Sequence, residues 1–524
     1  MDPIWAVTWA AIYHQVVKSI PYCHPSIPPG NDSIRLLRLI PNRNKSAIIE
    51  CELLNCSLEP GKGTHLYEAL SYVWGNPIEI VPIFIDGRIL SVTTNLYAAL
   101  LRLRDRDIAR TVWIDAICID QANQEEKERQ IQSMAKIYGH ASRVIVWLGE
   151  AADDSDLALE AIRLAGAKKS TNSLDSERIQ QAVLALLQRP WFRRIWILQE
   201  VAAARHVLIT CGSERIDGYA FCLGIDSSKS FYEAYPDLQG LIRSVIYLIR
   251  EAIFRPSYSM SSSSRSSLDI CPLGELMDMY HAHEATKRHD KVYALLGMSS
   301  DDLSKVDLLP DYGVPWEELL QRLAKFLLSE KISVEACRDR EIAVIKSKGR
   351  ILGKVTSVQS NMARDDRQGV DVTFKNIPGQ PEDIRDSSAH WTLHVSAKSI
   401  QEGDLICLLQ GASKPAIIRS REDHFTIVKV GVTPLKDVQK GSGYSKWSNF
   451  SQSFTRDFVL IWDWESSSDK LQELGEYETL ILKSKGVPKH PKTELGSHLD
   501  KATRTWNVAL ILGDVEEYGK AEER

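Results

Sequence analysis

The sequence lacks the features that mark several classes of protein. It has no basic excess, because 64 lysines and arginines stand against 69 acidic residues, for a formal net charge of -5. A dedicated nucleic-acid-binding protein usually carries a clear positive excess, so we expect no nucleic-acid partner. No GxGxxG or P-loop motif is present, which disfavours conventional dinucleotide and nucleoside-triphosphate binding. No repeat period runs through the chain, which disfavours a solenoid or a propeller.

The nine cysteines are scattered and form no CxxC pair. Their number is odd and some lie inside apolar runs, so we predict reduced thiols in a cytoplasmic protein, without a disulfide framework or a structural zinc site. The N-terminal segment has no basic start and falls short of the ~20 apolar residues that a membrane span needs. We interpret it as a short helix, with a membrane or partner anchor as the alternative.

The length of 524 residues predicts about three to four domains, at roughly 150 residues each. Residues 1–30 are predicted to hold the N-terminal helix and a proline-rich linker. Residues 31–212 are the predicted α/β domain, and residues 213–330 a helical region with a serine-rich loop. Residues 331–524 are a β-rich domain whose short strands, separated by glycine and proline, indicate a small barrel or sandwich.

Strands and helices alternate within residues 31–212. The apolar runs Thr111–Ile119 and Arg143–Leu148 are predicted as strands buried on both faces, with the amphipathic helix Gln124–His140 between them. This alternation indicates a parallel sheet covered by helices, a doubly wound α/β fold. Because the helix makes a crossover of sufficient length, we expect the two strands to be adjacent and parallel.

Three stretches carry a resemblance to a known family. They are Tyr67–Gly75 (YEALSYVWG), Val112–Gly149 (beginning VWIDAICIDQ) and Arg189–Val201 (RPWFRRIWILQEV). In this order and spacing they closely resemble the heterokaryon incompatibility (HET) domain of filamentous fungi. The sequence departs from the family at Asp120, where the family usually shows Asn, and this change adds a charge but keeps the shape.

The resemblance implies a role in non-self recognition and in programmed cell death after unlike hyphae fuse. The implied partner is a second copy of the chain or another incompatibility protein. HET domains are similar to divergent Toll/interleukin-1 receptor (TIR) domains, which implies a TIR-like, flavodoxin-type parallel sheet. In TIR enzymes a glutamate cleaves NAD at the nicotinamide–ribose bond, and Glu200 resembles that residue. The implied enzyme is an NAD nucleosidase (NAD glycohydrolase), with NAD as its substrate and no further cofactor.

One carboxylate is chemically sufficient for this cleavage, because the positively charged nicotinamide departs as a neutral group and needs no acid. Glu200 comes four residues after Trp196, so both should share a helix face on which the indole can pack against nicotinamide or ribose. The alternative is structural. A glutamate near Arg193 and Arg194 is most often in a surface ion pair, and Trp196 is most often a core residue.

The loop after the first strand of the domain, Ser71–Asn76 (SYVWGN), is the candidate phosphate cradle. Open parallel sheets bind ligands beyond the carboxyl ends of their strands, and Gly75 allows a close backbone approach. A tight turn is the alternative. Asp115, predicted inside a buried strand, needs partners for its charge, and both a loop-orienting role and direct ligand contact stay open. The expected substrate-binding residues are Ser71, Tyr72, Trp74, Gly75, Asp115 and Trp196.

Two further sequence features give weaker indications of function. His281, His283 and His289 include an HxH spacing that can bind metal, but no second ligand pair accompanies it, so a solvated helix face is favoured and no metal site is predicted. A weaker resemblance to long HET proteins continues through Arg288–Gly297 (RHDKVYALLG), Pro310–Tyr312 (PDY) and Glu402–Pro415 (EGDLICLLQGASKP), for which no chemistry is established.

Two functions therefore compete. The first is an enzyme that hydrolyses NAD when it is clustered, and the second is a non-catalytic death-signalling module that acts by self-association. Glu200 distinguishes them, because an enzyme needs this carboxylate open to a cleft, whereas an adaptor can bury or pair it.

Overall fold

A computed structural model of the chain describes residues 21–464, apart from 28–31, 60–65, 169–175, 229–231, 233, 253–266, 304–306, 339, 362–366, 375–387, 395–397, 422–423, 433–453 and 455. The predicted N-terminal helix, nearly all of the serine-rich loop and the end of the predicted β-rich domain lie outside the described residues. The chain forms two compact units. The first holds residues up to 276 with 282–302 and 309–312, and the second holds 277–281, 303–308 and the rest. No helix in the described ranges is long and apolar enough to cross a membrane.

A nine-stranded mixed sheet forms the centre of the first unit. Its strands are β1 (Ser33–Leu39), β2 (Glu50–Ser57), β3 (Glu68–Tyr72), β4 (Ile80–Ile85), β5 (Arg88–Thr93), β6 (Arg110–Trp113), β7 (Val144–Trp147), β8 (Val207–Cys211) and β9 (Glu214–Asp217). They lie in the order β5-β4-β2-β1-β6-β3-β7-β8-β9. The four central strands β6, β3, β7 and β8 pair in parallel with one another.

Helices connect these strands and continue the first unit. They are α1 (Thr94–Leu103), α2 (Asp115–Cys118), α3 (Gln124–Gln132), α4 (Met134–His140), α5 (Ser155–Gly166), α6 (Ser176–Leu187), α7 (Trp196–Ala203), α8 (Gly218–Ser227), α9 (Pro236–Ala252), α10 (Leu273–Tyr280) and α11 (Asp290–Leu296), of which α10 runs into the second unit. The side chain of Thr93 caps α1 by accepting a hydrogen bond from the backbone N–H of Leu96. Four apolar side chains at helical spacing (Leu96, Ala99, Leu100 and Leu103) are buried, as the periodicity predicts.

The prediction of an α/β fold followed by a β-rich region is confirmed, but the sheet is not wholly parallel. The pairs β1–β2, β1–β6, β4–β5 and β8–β9 are antiparallel. The predicted strands around Val112 and Val144 do run parallel in one sheet, yet they are not adjacent. Strand β3 lies between them, with Glu68 opposite Val112 and Ala69 opposite Val144. An apolar run shows that a strand is buried, but it does not show which strand becomes its neighbour.

The predicted strand Thr111–Ile119 is wrong in its second half. The strand ends at Trp113, and the short helix α2 follows with Ile117 and Cys118 buried. A short apolar run buries equally well as strand or helix, so its periodicity does not separate the two. Asp115 consequently begins a helical turn beyond the carboxyl end of β6. The predicted helix Gln124–His140 is likewise two helices, separated at Ser133.

The predicted helical region 213–330 is interrupted where the three histidines lie. Helix α10 ends at Tyr280 and α11 begins at Asp290, so the three histidines do not form a helix face. His283 is buried, and the ring of His289 lies 5.9 Å from that of Tyr293. In the described part of the chain, no group of three or more His, Cys, Asp or Glu side chains could hold a metal ion.

The second unit is built on an antiparallel sheet that closes on itself. It contains α12 (Trp316–Leu328) and the strands β10 (Ser333–Ala336), β11 (Ile342–Asn361), β12 (Arg367–Phe374), β13 (Ser388–His394), β14 (Leu405–Leu409), β15 (Ala416–Ser420), β16 (Phe425–Lys429) and β17 (Arg456–Asp463). The long strand β11 pairs with both β14 and β17, and β15 and β16 complete the ring. Among the described residues of this ring, β16 and β17 form the one parallel pair. Of the two predicted forms, the structure has the barrel.

Candidate functional site

Glu200 is the centre of the site. It lies in α7, which follows a 3-10 turn at Pro190–Arg193, and its side chain is only 2% exposed. Within the described residues, its Oε2 atom has no hydrogen-bond partner. The interpretation as a surface ion pair is therefore wrong. Burial raises the pKa of Glu200 to about 7, and the charge of Asp115 adds to this shift, whereas Arg194 and a hydrogen bond with Ser71 oppose it.

Ser71 joins Glu200 to the sheet. It lies in β3 and is fully buried, and its hydroxyl makes the hydrogen bond that lowers the pKa of Glu200. The same Oγ atom accepts a hydrogen bond of 2.8 Å from Nε1 of Trp191. Because a hydroxyl can donate and accept at once, Ser71 is held by the indole while it faces the carboxyl group.

Tyr72 and Asp115 form the next part of the site. Tyr72 ends β3 and is buried, and its backbone carbonyl accepts a hydrogen bond from Arg194 Nη1. Burial raises the pKa of the Tyr72 hydroxyl well above its usual value, and the nearby charge of Asp115 raises it further. The partly exposed indole of Trp74 donates to Asp115 Oδ2 at 2.9 Å. The loop after β3 is thereby tied to α2.

Two segments of the weaker resemblance, Arg288–Gly297 and Pro310–Tyr312, also belong to the first unit. Lys127 and Lys287 lie 5.8 Å and 4.5 Å from the ring centre of Tyr312, whose hydroxyl donates to Asp290 at 2.6 Å. Burial and the charge of Lys287 lower the pKa of Lys127, while Asp290 and Asp115 raise it. The motifs RHDKVYALLG and PDY therefore meet at Asp290 and Tyr312, next to Lys127.

The structure brings most of the predicted site residues together. Ser71, Tyr72, Asp115 and Glu200 interact directly or through Arg194, and Trp74 joins them through Asp115. Gly75 follows in the turn with φ +81°, and an added Cβ would lie 3.1 Å from Cβ of Asn95. Trp196 is partly exposed, and no hydrogen bond or ring contact seen among the described residues joins it to the cluster.

Sequence reasoning missed the roles of Trp191, Arg194 and Asn95. Asn95 donates to the carbonyl of Val73 at 2.6 Å and so holds the start of the loop. A buried indole N–H needs an acceptor, which is the signal that could have linked Trp191 to a hydroxyl such as that of Ser71. In the structural alternative, Arg193 or Arg194 pairs with Glu200 at the surface, but the guanidinium group of Arg194 donates to the backbone carbonyl of Tyr72 at the end of β3.

The arrangement can hold and exchange a proton in a dry environment. A carboxyl group whose pKa lies near neutrality can act as an acid or a base, and its raised pKa arises from burial near a second carboxylate. In the form described here, however, Glu200 is closed to solvent. A ligand can touch its carboxyl group only if part of the surrounding structure moves.

Comparison with known proteins matches the region around the candidate site to a protein family. Residues 67–200 match the family model described as heterokaryon incompatibility protein (HET). The chain contains a HET domain. The match begins at Tyr67 and ends at Glu200, so it contains every predicted site residue. No solved structure matches the chain.

Two curated proteins are similar to this HET-domain protein. Heterokaryon incompatibility protein 6, OR allele, of Neurospora crassa is 26% identical over an alignment of 398 residues, and the match covers 64% of this chain and 56% of the relative. Vegetative incompatibility protein HET-E-1 of Podospora anserina is 24% identical over 260 residues, which are 49% of this chain and 16% of the relative. The chain thus spans little more than half of the first relative and a small part of the second.

Proposed function

We propose that this HET-domain protein acts in heterokaryon incompatibility as an effector of programmed cell death, and that its HET domain is a TIR-like NAD nucleosidase with Glu200 as the catalytic carboxylate. The names of both curated relatives support the biological role. The observation that carries the chemistry is the enclosed Glu200 carboxyl group, with one oxygen unpartnered, packed against Ser71 at the end of a central parallel strand.

The strand order supports the TIR-like fold. The central strands β6, β3, β7 and β8, numbered by their place in the chain, lie in the order 2-1-3-4. This is the order in which a flavodoxin-type sheet begins, and such sheets bind ligands at the point where the order reverses. That point lies between the carboxyl ends of β3 and β7, and Ser71 and Tyr72 are the last two residues of β3.

The free-energy cost of burying the Glu200 carboxyl group supports a catalytic role. A buried carboxyl group that lacks a hydrogen-bond partner on one oxygen is costly, and folded proteins rarely keep one without a function. When the nicotinamide–ribose bond breaks, the positive ribosyl group would give the ionised carboxylate a partner in the same low-dielectric site. The closed site then corresponds to a resting enzyme, which opens when the protein clusters with copies of itself or with another incompatibility protein.

The alternative is a non-catalytic death-signalling module that acts by self-association. The 2% exposure of Glu200 favours it, since an adaptor can bury a carboxyl group that an enzyme must present. In this function the raised pKa of Glu200 would be a structural cost and no NAD would be consumed.

The decisive experiment measures NAD loss with purified protein, in the presence and absence of a crowding agent that promotes clustering. We expect Glu200→Gln to slow cleavage about a hundred- to thousand-fold, because stabilisation of this kind is typically worth ~3–4 kcal/mol. The matched control is Glu160→Gln, an exposed glutamate of α5 that pairs with Arg163. This control should keep full activity.

The same variants separate the two functions in cells. If Glu200→Gln folds and still kills on overexpression, or if killing proceeds without NAD loss, the enzyme proposal is refuted and the self-association module stands. Loss of both killing and NAD cleavage in folded Glu200→Gln, with both retained by Glu160→Gln, supports the enzyme.

A further inference from the structure

Two lysines that the proposed chemistry does not use lie beside each other near the Glu200 site. Lys127 is near the start of α3, and Lys287 precedes α11 in a segment outside the HET family match. Their ammonium groups lie 5.8 Å and 4.5 Å from the ring centre of Tyr312. Because both nitrogens are close to one ring, the two positive charges are neighbours.

The charges of this lysine pair are not neutralised by a direct partner. Among the residues that the structure describes, the side chains of Lys127 and Lys287 form no salt bridge, and the nearby Asp290 carboxylate accepts from the Tyr312 hydroxyl at 2.6 Å. Burial lowers the pKa of Lys127 most, and the charge of Lys287 lowers it by more than Asp290 raises it. The repulsion between the lysines therefore exceeds the attraction of that carboxylate.

The lysine pair lies on the Asp115 side of the Glu200 site. Gln121, in the segment that joins α2 to α3, donates to the backbone carbonyl of Asp115 at 2.9 Å. The charge of Asp115 acts on both Lys127 and Glu200. Asp115 begins α2 beyond the carboxyl end of β6, and open parallel sheets bind ligands at this end of their strands.

The lysine pair is also open to solvent, unlike the Glu200 carboxyl group. Lys287 is exposed, and Lys127 and Tyr312 are partly exposed. An anion can therefore approach the two ammonium groups from solvent while the Glu200 site stays closed. Its negative charge would relieve the repulsion between them.

We propose that Lys127 and Lys287 bind the diphosphate group of a nucleotide, with one phosphate on each ammonium group, at the open side of the Glu200 site. Lysine binds phosphate as a compact point charge, and a diphosphate offers negative charge on two adjacent groups. The loop Ser71–Asn76, the other candidate for phosphate, has no cationic side chain. The choice of NAD as the nucleotide rests on the function proposed for Glu200.

Isothermal titration calorimetry of the full chain at constant ionic strength tests the site without catalysis. The probes are ADP, AMP and adenosine, which carry two, one and no phosphate groups. We expect ADP to bind with one site per chain, and AMP to bind at least about ten-fold more weakly because it loses one charge-assisted contact. Adenosine should not saturate. AMP that binds as tightly as ADP, or ADP that gives no saturable binding at millimolar concentration, would overturn the proposal.

Variants locate the bound diphosphate. Lys127→Gln and Lys287→Gln should each weaken ADP binding about ten-fold, whereas Lys127→Arg keeps the charge and should retain most of the affinity. Lys287 is exposed, so its variant keeps the test valid if Lys127→Gln does not fold. The control Lys45→Gln removes an exposed lysine between β1 and β2 and should bind normally. Unchanged ADP binding in Lys287→Gln, or an equal loss in Lys45→Gln, would contradict the assignment.

Kinetics with NAD separate a failure of this site from a failure of the proposed enzyme. If both proposals hold, Lys287→Gln raises KM for NAD about ten-fold with a much smaller effect on kcat, because it acts on the diphosphate and not on the breaking bond. NAD cleavage with unchanged KM in this variant refutes the lysine site and leaves the enzyme. ADP binding that depends on both lysines, in a protein that never cleaves NAD, refutes the enzyme and leaves a nucleotide-binding site.

Discussion

The buried carboxyl group of Glu200 should make the stability of the first unit depend on pH. Its pKa is about 7 in the folded protein, against an ordinary value of 4.5. The folded state therefore holds this proton more tightly than the unfolded chain does. The stabilisation from the proton is fully present below about pH 4.5 and is lost as the pH rises through about 7.

The expected magnitude follows from these two pKa values. A ten-fold difference in proton affinity is worth about 1.4 kcal/mol, so full ionisation of Glu200 costs the folded state roughly 3 kcal/mol. Glu200→Gln cannot ionise and avoids this cost. Between pH 5 and pH 8, its free energy of unfolding relative to the wild type should therefore rise by up to about 3 kcal/mol. An unpartnered amide donor in the variant shifts the difference by a constant amount, so the pH dependence is the informative quantity.

Urea unfolding at pH 5, 6, 7 and 8 measures this difference, with tryptophan fluorescence as the signal. Wild type, Glu200→Gln and the exposed control Glu160→Gln are compared at each pH. Most of the change should fall below pH 7, and the control should track the wild type throughout. If the difference between Glu200→Gln and wild type were constant with pH, or moved in the opposite direction, the assignment of a buried carboxyl group with a raised pKa would be refuted.

Three further changes test the surroundings of the site. Asp115→Asn removes a charge that raises the pKa of Glu200, so the same pH series should show the change in relative stability at a lower pH. Arg35→Met leaves the buried Glu126 without the arginine that binds it at 2.6 and 2.9 Å. The free energy of unfolding in urea should fall by about 3–5 kcal/mol, and by less when Glu126→Leu is introduced as well. Gly75→Val should lower the melting temperature by calorimetry, since a φ of +81° costs other residues about 1–2 kcal/mol; an unchanged melting temperature with lost toxicity would instead support a phosphate cradle.

The structure modifies the sequence-based expectation for Gly75. The cradle hypothesis predicts that Gly75→Val abolishes toxicity with little effect on stability. The positive φ and the contact with Asn95 instead predict a loss of stability with valine, because the tight turn itself favours glycine. Melting temperature and toxicity therefore have to be measured together in this variant.

Local features of the fold were predictable from the sequence. The hairpin at Asp86-Gly87, the buried face of α1 and the alternation of strands and helices depend on residues close together in the chain, and periodicity and turn chemistry encode them. The resemblance to HET domains also pointed to the candidate site residues, which lie within the family match at residues 67–200. That Ser71, Asp115 and Glu200 form a functional site stays a prediction.

Only the tertiary structure decided which strands are neighbours and how Glu200 is held. The order that places β3 between β6 and β7 depends on packing among strands far apart in the sequence. The hydrogen bond between Trp191 and Ser71 joins residues 120 positions apart, and it belongs to the contacts that enclose Glu200. An amphipathic pattern indicates which face of a helix is apolar. Whether a carboxylate on that helix is exposed to solvent depends on the segments that pack against it. The pKa of Glu200 is therefore a property of the folded site and not of the local sequence.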